Sequence, residues 1–171
     1  ANTLDFTSFD HLYAGTADDT FNFTGSGTIA LSIDAGAGTD LISYQAYAAP
    51  ATVHLLNGSA TGVHSGANLS VTNFENITGS IYADSLTGDN LDNVITGLAD
   101  EGGNDLLYGL GGNDRYVFSD NWGTDIISDS AGDDTFDFST TLLGVTFDLS
   151  DTALVVTSGA DTASNTPNQI E

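Results

Sequence analysis

The sequence predicts an all-β fold in which short strands stack on one another as a solenoid. Apolar and alternating residues occur in short runs bounded by Gly, Asn, Asp, Ser and Thr, the pattern of strands separated by turns. No window keeps the apolar spacing of an amphipathic helix. The turn formers also recur at regular intervals, which is typical of repeat architectures.

The charge balance is strongly acidic, because 24 Asp and Glu residues face a single basic residue, for a formal net charge of −23. Nearly all the acids are Asp, which favours turns, so we expect the carboxylates to lie in turns. We expect no nucleic-acid or anionic-membrane partner, since both require Lys and Arg on the protein. Hard divalent cations are natural counter-charges for clustered carboxylates; solubility or salt tolerance is the alternative explanation.

The chain has no cysteine, and hence no disulfide framework, thiolate metal site or Cys nucleophile. Its apolar runs are too short to span a bilayer, so we expect no membrane insertion. The sequence begins at Ala1 without a signal region, and we expect a mature fragment or an excised piece.

A long internal repeat relates the two halves of the chain. In each half an acidic turn leads to an aromatic strand, then to a second acidic turn and strand, and then to an alternating strand. The corresponding segments are residues 15–23 and 111–118, 37–42 and 131–136, 52–56 and 145–149, and 73–77 and 168–171. The period is roughly 95 residues, with shorter repeats nested inside it, which predicts one period of a longer array.

The shorter repeats follow the nonapeptide pattern G-G-x-G-x-D-x-U-x, where U is a large apolar residue. The clearest copy reads GLGGNDRYV at residues 109–117. Further units occur at residues 79–87, 88–96 and 102–108, and weaker ones at 122–127 and 132–136. One Gly-Asn-Asp turn is common in ordinary hairpins, but near-tandem copies at a regular spacing indicate a repeat.

The nonapeptide has a direct physical interpretation. Glycine permits a positive φ, which turns carbonyl oxygens towards a common point, and the sixth-position Asp adds a carboxylate there. The eighth-position apolar residue points into the core. Two units complete one turn of a flattened right-handed coil, so sixth positions fall alternately on two edges. One edge is predicted to carry Asp84, Asp105 and Asp125, and the other Asn93, Asp114 and Asp134.

Oxygen-only ligation by a flexible cage suits Ca²⁺ better than Mg²⁺ or a transition metal. The candidate metal ligands are the turn glycines and carboxylates of these units and of two degenerate turns near the N-terminus. They are Asp19, Asp40, Asp84, Gly103, Asp105, Gly112, Asp114, Gly123, Asp125, Gly132 and Asp134.

The nonapeptides resemble the repeats-in-toxin (RTX) family, with close repeats over about 60 residues. The resemblance implies a right-handed parallel β-roll, calcium-driven folding outside the cell, and export of a secreted or cell-surface bacterial protein without a signal peptide. Departures are Asn93 at a sixth position, Tyr82 at a fourth-position glycine, and an apparent insertion at residues 100–102. The pattern is best kept at Asp105, Asp114, Asp125 and Asp134.

We expect one continuous solenoid with three parts. Residues 1–78 are predicted to form degenerate turns with longer loops, and residues 79–137 the nonapeptide calcium-binding β-roll. Residues 138–171 are predicted to add strands that lead to the next repeat.

No catalytic motif is present, and we expect no enzyme activity. The 3 histidines lie outside any H-E-x-x-H motif, and no G-x-S-x-G occurs. Acidic turns explain the paired carboxylates without a glycosidase cleft. Aromatic pairs at period-two spacing, such as Phe21 with Phe23 and Tyr116 with Phe118, indicate same-face stacking in strands rather than a sugar-binding platform.

The predicted function is a structural, calcium-binding repeat of an extracellular bacterial adhesin, matrix or filament-forming protein. The alternative is a non-catalytic C-terminal module of a secreted protease, lipase or epimerase. The long repeat favours the first hypothesis. The expected partners are calcium ions and, for a solenoid with uncapped ends, further copies stacked head to tail into fibres.

Overall fold

The computed structural model describes residues 9–25, 27–63, 70–98, 103–149, 154–159 and 161–165. Within these ranges the chain is all-β and contains no helix, as the sequence predicts. Accordingly, the same ranges hold no helix that is long and apolar enough to cross a membrane. The predicted insertion at residues 100–102 and the predicted repeat ending at 168–171 lie outside the described residues.

The strands are short because a turn residue follows most of them within a few positions. In chain order they are β1 (Phe9–Tyr13), β2 (Thr20–Asn22), β3 (Ile29–Asp34), β4 (Leu41–Ser43), β5 (Thr52–His54), β6 (Ser59–Ala60), β7 (Val71–Thr72), β8 (Asn76–Thr78), β9 (Ser85–Thr87), β10 (Val94–Thr96), β11 (Leu106–Tyr108), β12 (Arg115–Val117), β13 (Thr124–Ser128), β14 (Thr135–Asp137), β15 (Thr146–Leu149), β16 (Leu154–Ser158) and β17 (Asp161–Asn165).

Three sheets contain all of these strands. The three-stranded sheet has the order β1-β3-β7, the six-stranded sheet the order β14-β12-β10-β8-β4-β2, and the eight-stranded sheet the order β15-β16-β17-β13-β11-β9-β5-β6. Pairing is parallel throughout the first two sheets and from β5 to β17 in the third. The described part of the chain is therefore dominated by parallel pairing, which agrees with the sequence.

From β8 to β14 the chain alternates between the six-stranded and the eight-stranded sheet. Val94 of β10 pairs with Asn76 and with Arg115, and Leu106 of β11 pairs with Ser85 and with Ile126. Parallel neighbours need a crossover, and here the crossover is one strand of the other sheet. Equivalent turn residues on either edge lie 20 or 21 positions apart, slightly more than two nonapeptides.

The eighth-position residues form the core between these two sheets, as predicted. Leu86, Ile95, Leu107, Tyr116 and Ile127 are each at most 1% exposed. Complete burial of such a side chain contributes about 1.5–3 kcal/mol relative to exposure. Most residues next to them in the strands are at least partly exposed, and of these Leu106 and Ile126 are exposed, whereas Thr87 is buried.

Aromatic rings continue this core at both ends, on the faces that the period-two spacing predicts. Phe23 stacks on Tyr44 with ring centroids 4.8 Å apart, and Phe118 stacks on Phe138 at 4.7 Å. Trp122 packs edge-on against Phe118 and is 1% exposed. These rings therefore fill the core rather than form an open platform.

The long internal repeat has a structural counterpart. In the first half β2 and β4 are parallel neighbours in the six-stranded sheet, and in the second half β12 and β14 are their equivalents in the same sheet. The next strands in the alignment, β5 and β15, both belong to the eight-stranded sheet and each pairs antiparallel with its successor. The two halves thus share these features, whereas the intervening strands differ, because β3 lies in the three-stranded sheet and β13 in the eight-stranded sheet.

The antiparallel pairs and the separate three-stranded sheet were not predicted. The chain reverses between β5 and β6 at Gly58, which has a φ of 66° and donates its N–H to Leu55. It reverses again after β16 next to Gly159, which has a φ of 61°. Glycines with left-handed backbone allow these close returns, whereas acidic nonapeptide turns send the chain to the opposite sheet.

Candidate metal centre

Acidic residues immediately before the strands of the six-stranded sheet link neighbouring turns. Asp114 Oδ1 accepts the backbone N–H of Asn93 at 2.7 Å, and Asp134 Oδ1 accepts that of Asp114 at 2.9 Å. Hydrogen bonds to a charged acceptor are roughly twice as strong as neutral ones. The sixth-position side chains therefore form a ladder along this edge, in the order that the sequence predicts.

The opposite edge carries a second ladder of the same kind. Asp105 Oδ1 accepts the N–H of Asp84 at 2.8 Å, and Asp125 Oδ1 accepts the N–H of Asp105 at 2.9 Å. Asp84 Oδ1 in turn accepts the N–H of Ala51 at 2.6 Å. Ser80 also donates its backbone N–H and its hydroxyl to the Asp84 carboxylate.

The first ladder extends into the N-terminal part of the chain. Asp40 Oδ1 accepts the N–H of Asp19 at 2.7 Å, and Glu75 Oε2 accepts the N–H of Asp40 at 2.7 Å. The predicted degenerate turns therefore use the same contact. Glu75 was missed from the sequence, although it directly precedes β8 as the sixth-position residues precede their strands.

Fifth-position side chains form a further ladder that runs in the opposite direction. Asp92 Oδ1 accepts the N–H of Asn113 at 2.7 Å, and Asn113 Oδ1 accepts the N–H of Asp133 at 2.9 Å. Asp18 and Asn104 make the same contact to the next turn. The Asn104-Asp105 and Asn113-Asp114 pairs thus bond one side chain forward and the other backward along the stack, which explains why both positions are polar.

First-position glycines are required because the sixth-position carboxylate lies over their Cα. A Cβ on Gly79, Gly97 or Gly109 would lie closer than 3.0 Å to Oδ2 of Asp84, Asp105 or Asp114 respectively.

Fourth-position glycines are required for a different reason. Gly112 and Gly123 have φ of 105° and 84°, and a Cβ on either would strike the carbonyl oxygen of the adjacent turn, Leu91 or Gly103. Gly132 has a φ of 138°, and a Cβ there would strike the carbonyl oxygen of Gly112.

The carboxylates of both ladders are largely withdrawn from solvent. Asp40 and Asp105 are 0% exposed, Asp114 and Asp125 are 1% exposed, and Asp19 and Asp134 are partly buried. Within the described residues, Asp40 Oδ2 and Asp114 Oδ2 are buried without a hydrogen-bond partner. Burial raises the pKa of Asp84, Asp134 and Asp114, and for Asp114 the nearby Asp129 and Asp134 carboxylates help to raise it to about 7.

The chain offers little positive charge to compensate these buried carboxylates. Arg115 is the only Lys or Arg in the sequence, and its guanidinium pairs with Asp137 at the surface. Hydrogen bonds from Ser139, with Arg115 beside it, lower the pKa of Asp137 to about 2. A buried carboxylate needs a paired cation, a metal ion or a proton, and the sequence supplies almost no cationic side chain of its own.

A scan against models of known protein families finds no match. A search of curated proteins finds none either.

Among the described residues, one group of carboxylates converges closely enough to hold a single ion. Asp114, Asp129 and Asp134 each place an oxygen within 4.8 Å of the others. Asp114 and Asp134 were predicted as ligands, whereas Asp129 was not, because it stands at a first position where the pattern has glycine.

We predict that Gly79→Ala destabilises the protein, because its Cβ would displace the Asp84 carboxylate and strike the Gly97 carbonyl. Overpacking of this kind costs about 1–3 kcal/mol in the free energy of unfolding. Gly111→Ala is the matched control, since its Cβ would meet no atom closer than 3.7 Å. Urea denaturation of the two variants measures the difference, and equal midpoints would contradict the steric role of first-position glycines.

We also predict that the metal-free protein becomes less stable as pH rises from about 4 to 7. The folded state holds a proton on Asp114 up to about pH 7, whereas the unfolded chain releases it near its reference pKa of about 3.9. This contribution is complete below the unfolded pKa and is lost as pH rises through the folded one. Far-ultraviolet circular dichroism in chelator should show β-structure near pH 4 that is lost as the pH approaches 7; β-structure that increases with pH would show that Asp114 is stabilised as a carboxylate.

Proposed function

We propose that the chain is a calcium-binding structural module that folds as a right-handed parallel β-roll. Two features of the described residues support the roll. Successive strands alternate between two parallel sheets, and equivalent turn residues recur at 20 or 21 positions on each edge. The sixth-position side chains consequently lie one above another rather than scattered over the surface.

The observation that carries the calcium proposal is the burial of stacked carboxylates in a chain with a single arginine. Asp40, Asp105, Asp114 and Asp125 are at most 1% exposed, and Arg115 is engaged elsewhere. An uncompensated buried carboxylate is costly, and a hard cation bound by carboxylate and carbonyl oxygens removes that cost. Solubility alone does not account for this placement, because acids that serve solubility lie in solvent.

The residues proposed to hold calcium are those of the two ladders together with the glycines that bring their backbones close. On one edge they are Asp105 and Asp125 with Gly103 and Gly123, and on the other Asp114 and Asp134 with Gly112 and Gly132. Asp19 and Asp40 lie on the same edge as Asp114 and Asp134, before strands of the six-stranded sheet. Asp84 is the weakest candidate, because Ser80 and Ala51 already satisfy its carboxylate.

Calcium bound in this way would couple metal concentration to folding. At a free concentration one hundredfold above its dissociation constant, one site adds about 2.7 kcal/mol to the free energy of unfolding. Extracellular calcium modules have dissociation constants on the order of 10⁻⁴ to 10⁻³ M. The module is therefore proposed to fold in a calcium-rich, extracellular setting and to lose its fold where calcium is scarce.

The repeated arrangement of β2, β4 and β5 in β12, β14 and β15 favours an array over an isolated accessory unit. We accordingly propose that the chain is a structural repeat of a secreted or cell-surface bacterial adhesin, matrix or filament-forming protein. No catalytic role is proposed. A C-terminal module of a secreted enzyme is the alternative, and the sequence that flanks this chain in its gene distinguishes the two.

We predict that at neutral pH the protein lacks ordered β-structure in chelator and acquires it in millimolar calcium, as measured by far-ultraviolet circular dichroism. Asp105→Asn should weaken the calcium response by at least tenfold in concentration, because it removes a buried charge but keeps the oxygen that accepts the Asp84 N–H.

The matched control is Asp92→Asn, which also removes one negative charge from an acidic turn. Asp92 is exposed, and Asn113 makes the same fifth-position contact with an amide oxygen. Its calcium midpoint should equal that of the wild type. Spectra that do not change with calcium would contradict the proposal. Equal shifts of the calcium midpoint in both variants would show that calcium acts only as a general counter-ion.

A further inference from the structure

Asp129 occupies a position that is glycine in the neighbouring turns. Gly88, Gly109 and Asp129 follow β9, β11 and β13 directly, and they lie side by side because Gly88 donates its N–H to Tyr108 and Gly109 donates its N–H to Ser128. The first-position residue of this turn thus adds a carboxylate where the turns beside it have only hydrogen. Asp129 is nevertheless 2% exposed.

The Asp129 carboxylate is held in a fixed orientation inside the turn. Its Oδ1 accepts the backbone N–H of Ser130 at 2.7 Å, and its Oδ2 accepts the hydroxyl proton of Tyr116 at 2.5 Å. Tyr116 is fully buried in the core, so the ring cannot move with the turn. The carboxylate is therefore preorganised by one core side chain and one backbone amide.

Three carboxylates meet at this point. Oδ2 of Asp114 and Oδ2 of Asp129 both lie within 3.0 Å of the place that a Cβ on Gly109 would take, and the Tyr116 hydroxyl lies 2.5 Å from it. Asp134 completes the group, with one oxygen of each carboxylate within 4.8 Å of the others. Two oxygens bound to one calcium ion can be at most about 5 Å apart, so the spacing fits a single ion.

A second observation points to a ligand at the same place. Asp114 is 1% exposed, and its Oδ2 is buried without a hydrogen-bond partner in the described part of the chain. Its other oxygen is already used by the Asn93 amide. Asp114 Oδ2 and Asp129 Oδ2 both lie beside Gly109. The adjacent Arg115 does not neutralise them, because its guanidinium pairs with Asp137.

We propose that Asp114, Asp129 and Asp134 form a three-carboxylate site for one hard divalent cation, a turn site that differs from the others because Asp129 supplies a ligand that the nonapeptide lacks. Calcium affinity rises with the number of charged ligands. This site consequently binds calcium more tightly than the other turns and fills first. That the ion is calcium rests on the proposed function, whereas the location of this site depends on Asp129.

Asp129→Asn and Asp129→Gly test the site in the full chain, with calcium and then magnesium as the titrant in isothermal titration calorimetry. Asn keeps an oxygen that can accept the Tyr116 hydroxyl proton, and Gly restores the residue found at Gly88 and Gly109, so the turn geometry is retained in both. We expect each variant to lose the tightest class of calcium sites, with an affinity for the first ion at least tenfold weaker. Asp92→Asn, which removes an exposed charge, should leave that class unchanged.

The outcomes separate this inference from the proposed function. If the wild type binds calcium and both Asp129 variants bind the first ion with unchanged affinity, the three-carboxylate site is wrong and the repeated turn sites stand. If the wild type binds no calcium, both proposals fall. An equal loss of affinity for the first ion in Asp92→Asn would also contradict the proposed site, because the total negative charge would then explain the affinity.

Discussion

The structure depends on buried carboxylates that each bond a backbone amide of the neighbouring turn. Asp105 and Asp114 illustrate the constraint, since each gives one oxygen to the turn beside it and is at most 1% exposed. The contact holds equivalent residues in register along both edges. It also concentrates negative charge at those edges, and the chain provides one arginine, placed elsewhere, to offset it. The same residues thus align the strands and place negative charge where a bound cation is proposed.

Close stacking of the turns imposes further requirements on the backbone. Gly112 and Gly123 adopt positive φ and approach the carbonyl of the turn beside them where no Cβ fits. Leu98 and Leu110 also have positive φ, 89° and 82°, which costs a residue other than glycine about 1–2 kcal/mol. Such strain persists only where the surroundings determine the conformation. Ser130 provides one such restraint, because its backbone N–H donates to the Leu110 carbonyl.

The regular part of the fold could be predicted from the sequence because one residue pattern serves every turn. The nonapeptide placed Leu107 and Tyr116 in the core and set Asp84, Asp105 and Asp125 in order along one edge. The exceptions break that pattern. Glu75 stands where the pattern expects Asp, and Asp129 stands where it expects Gly. Only their positions relative to the strands could have identified them. The antiparallel strands follow reversals at Gly58 and Gly159, whose backbone angles the sequence does not specify.

We propose that the amide ladder and a bound cation form one cooperative unit. Hydrogen–deuterium exchange at the backbone amides of Asp84, Asn93, Asp105 and Asp114 tests it most directly, because each of these amides donates to a ladder carboxylate. In calcium all four amides should be strongly protected, and in chelator they should exchange together at rates near those of an unfolded chain. Equal protection in calcium and in chelator would show that the carboxylates hold the turns without a metal, and would contradict the account.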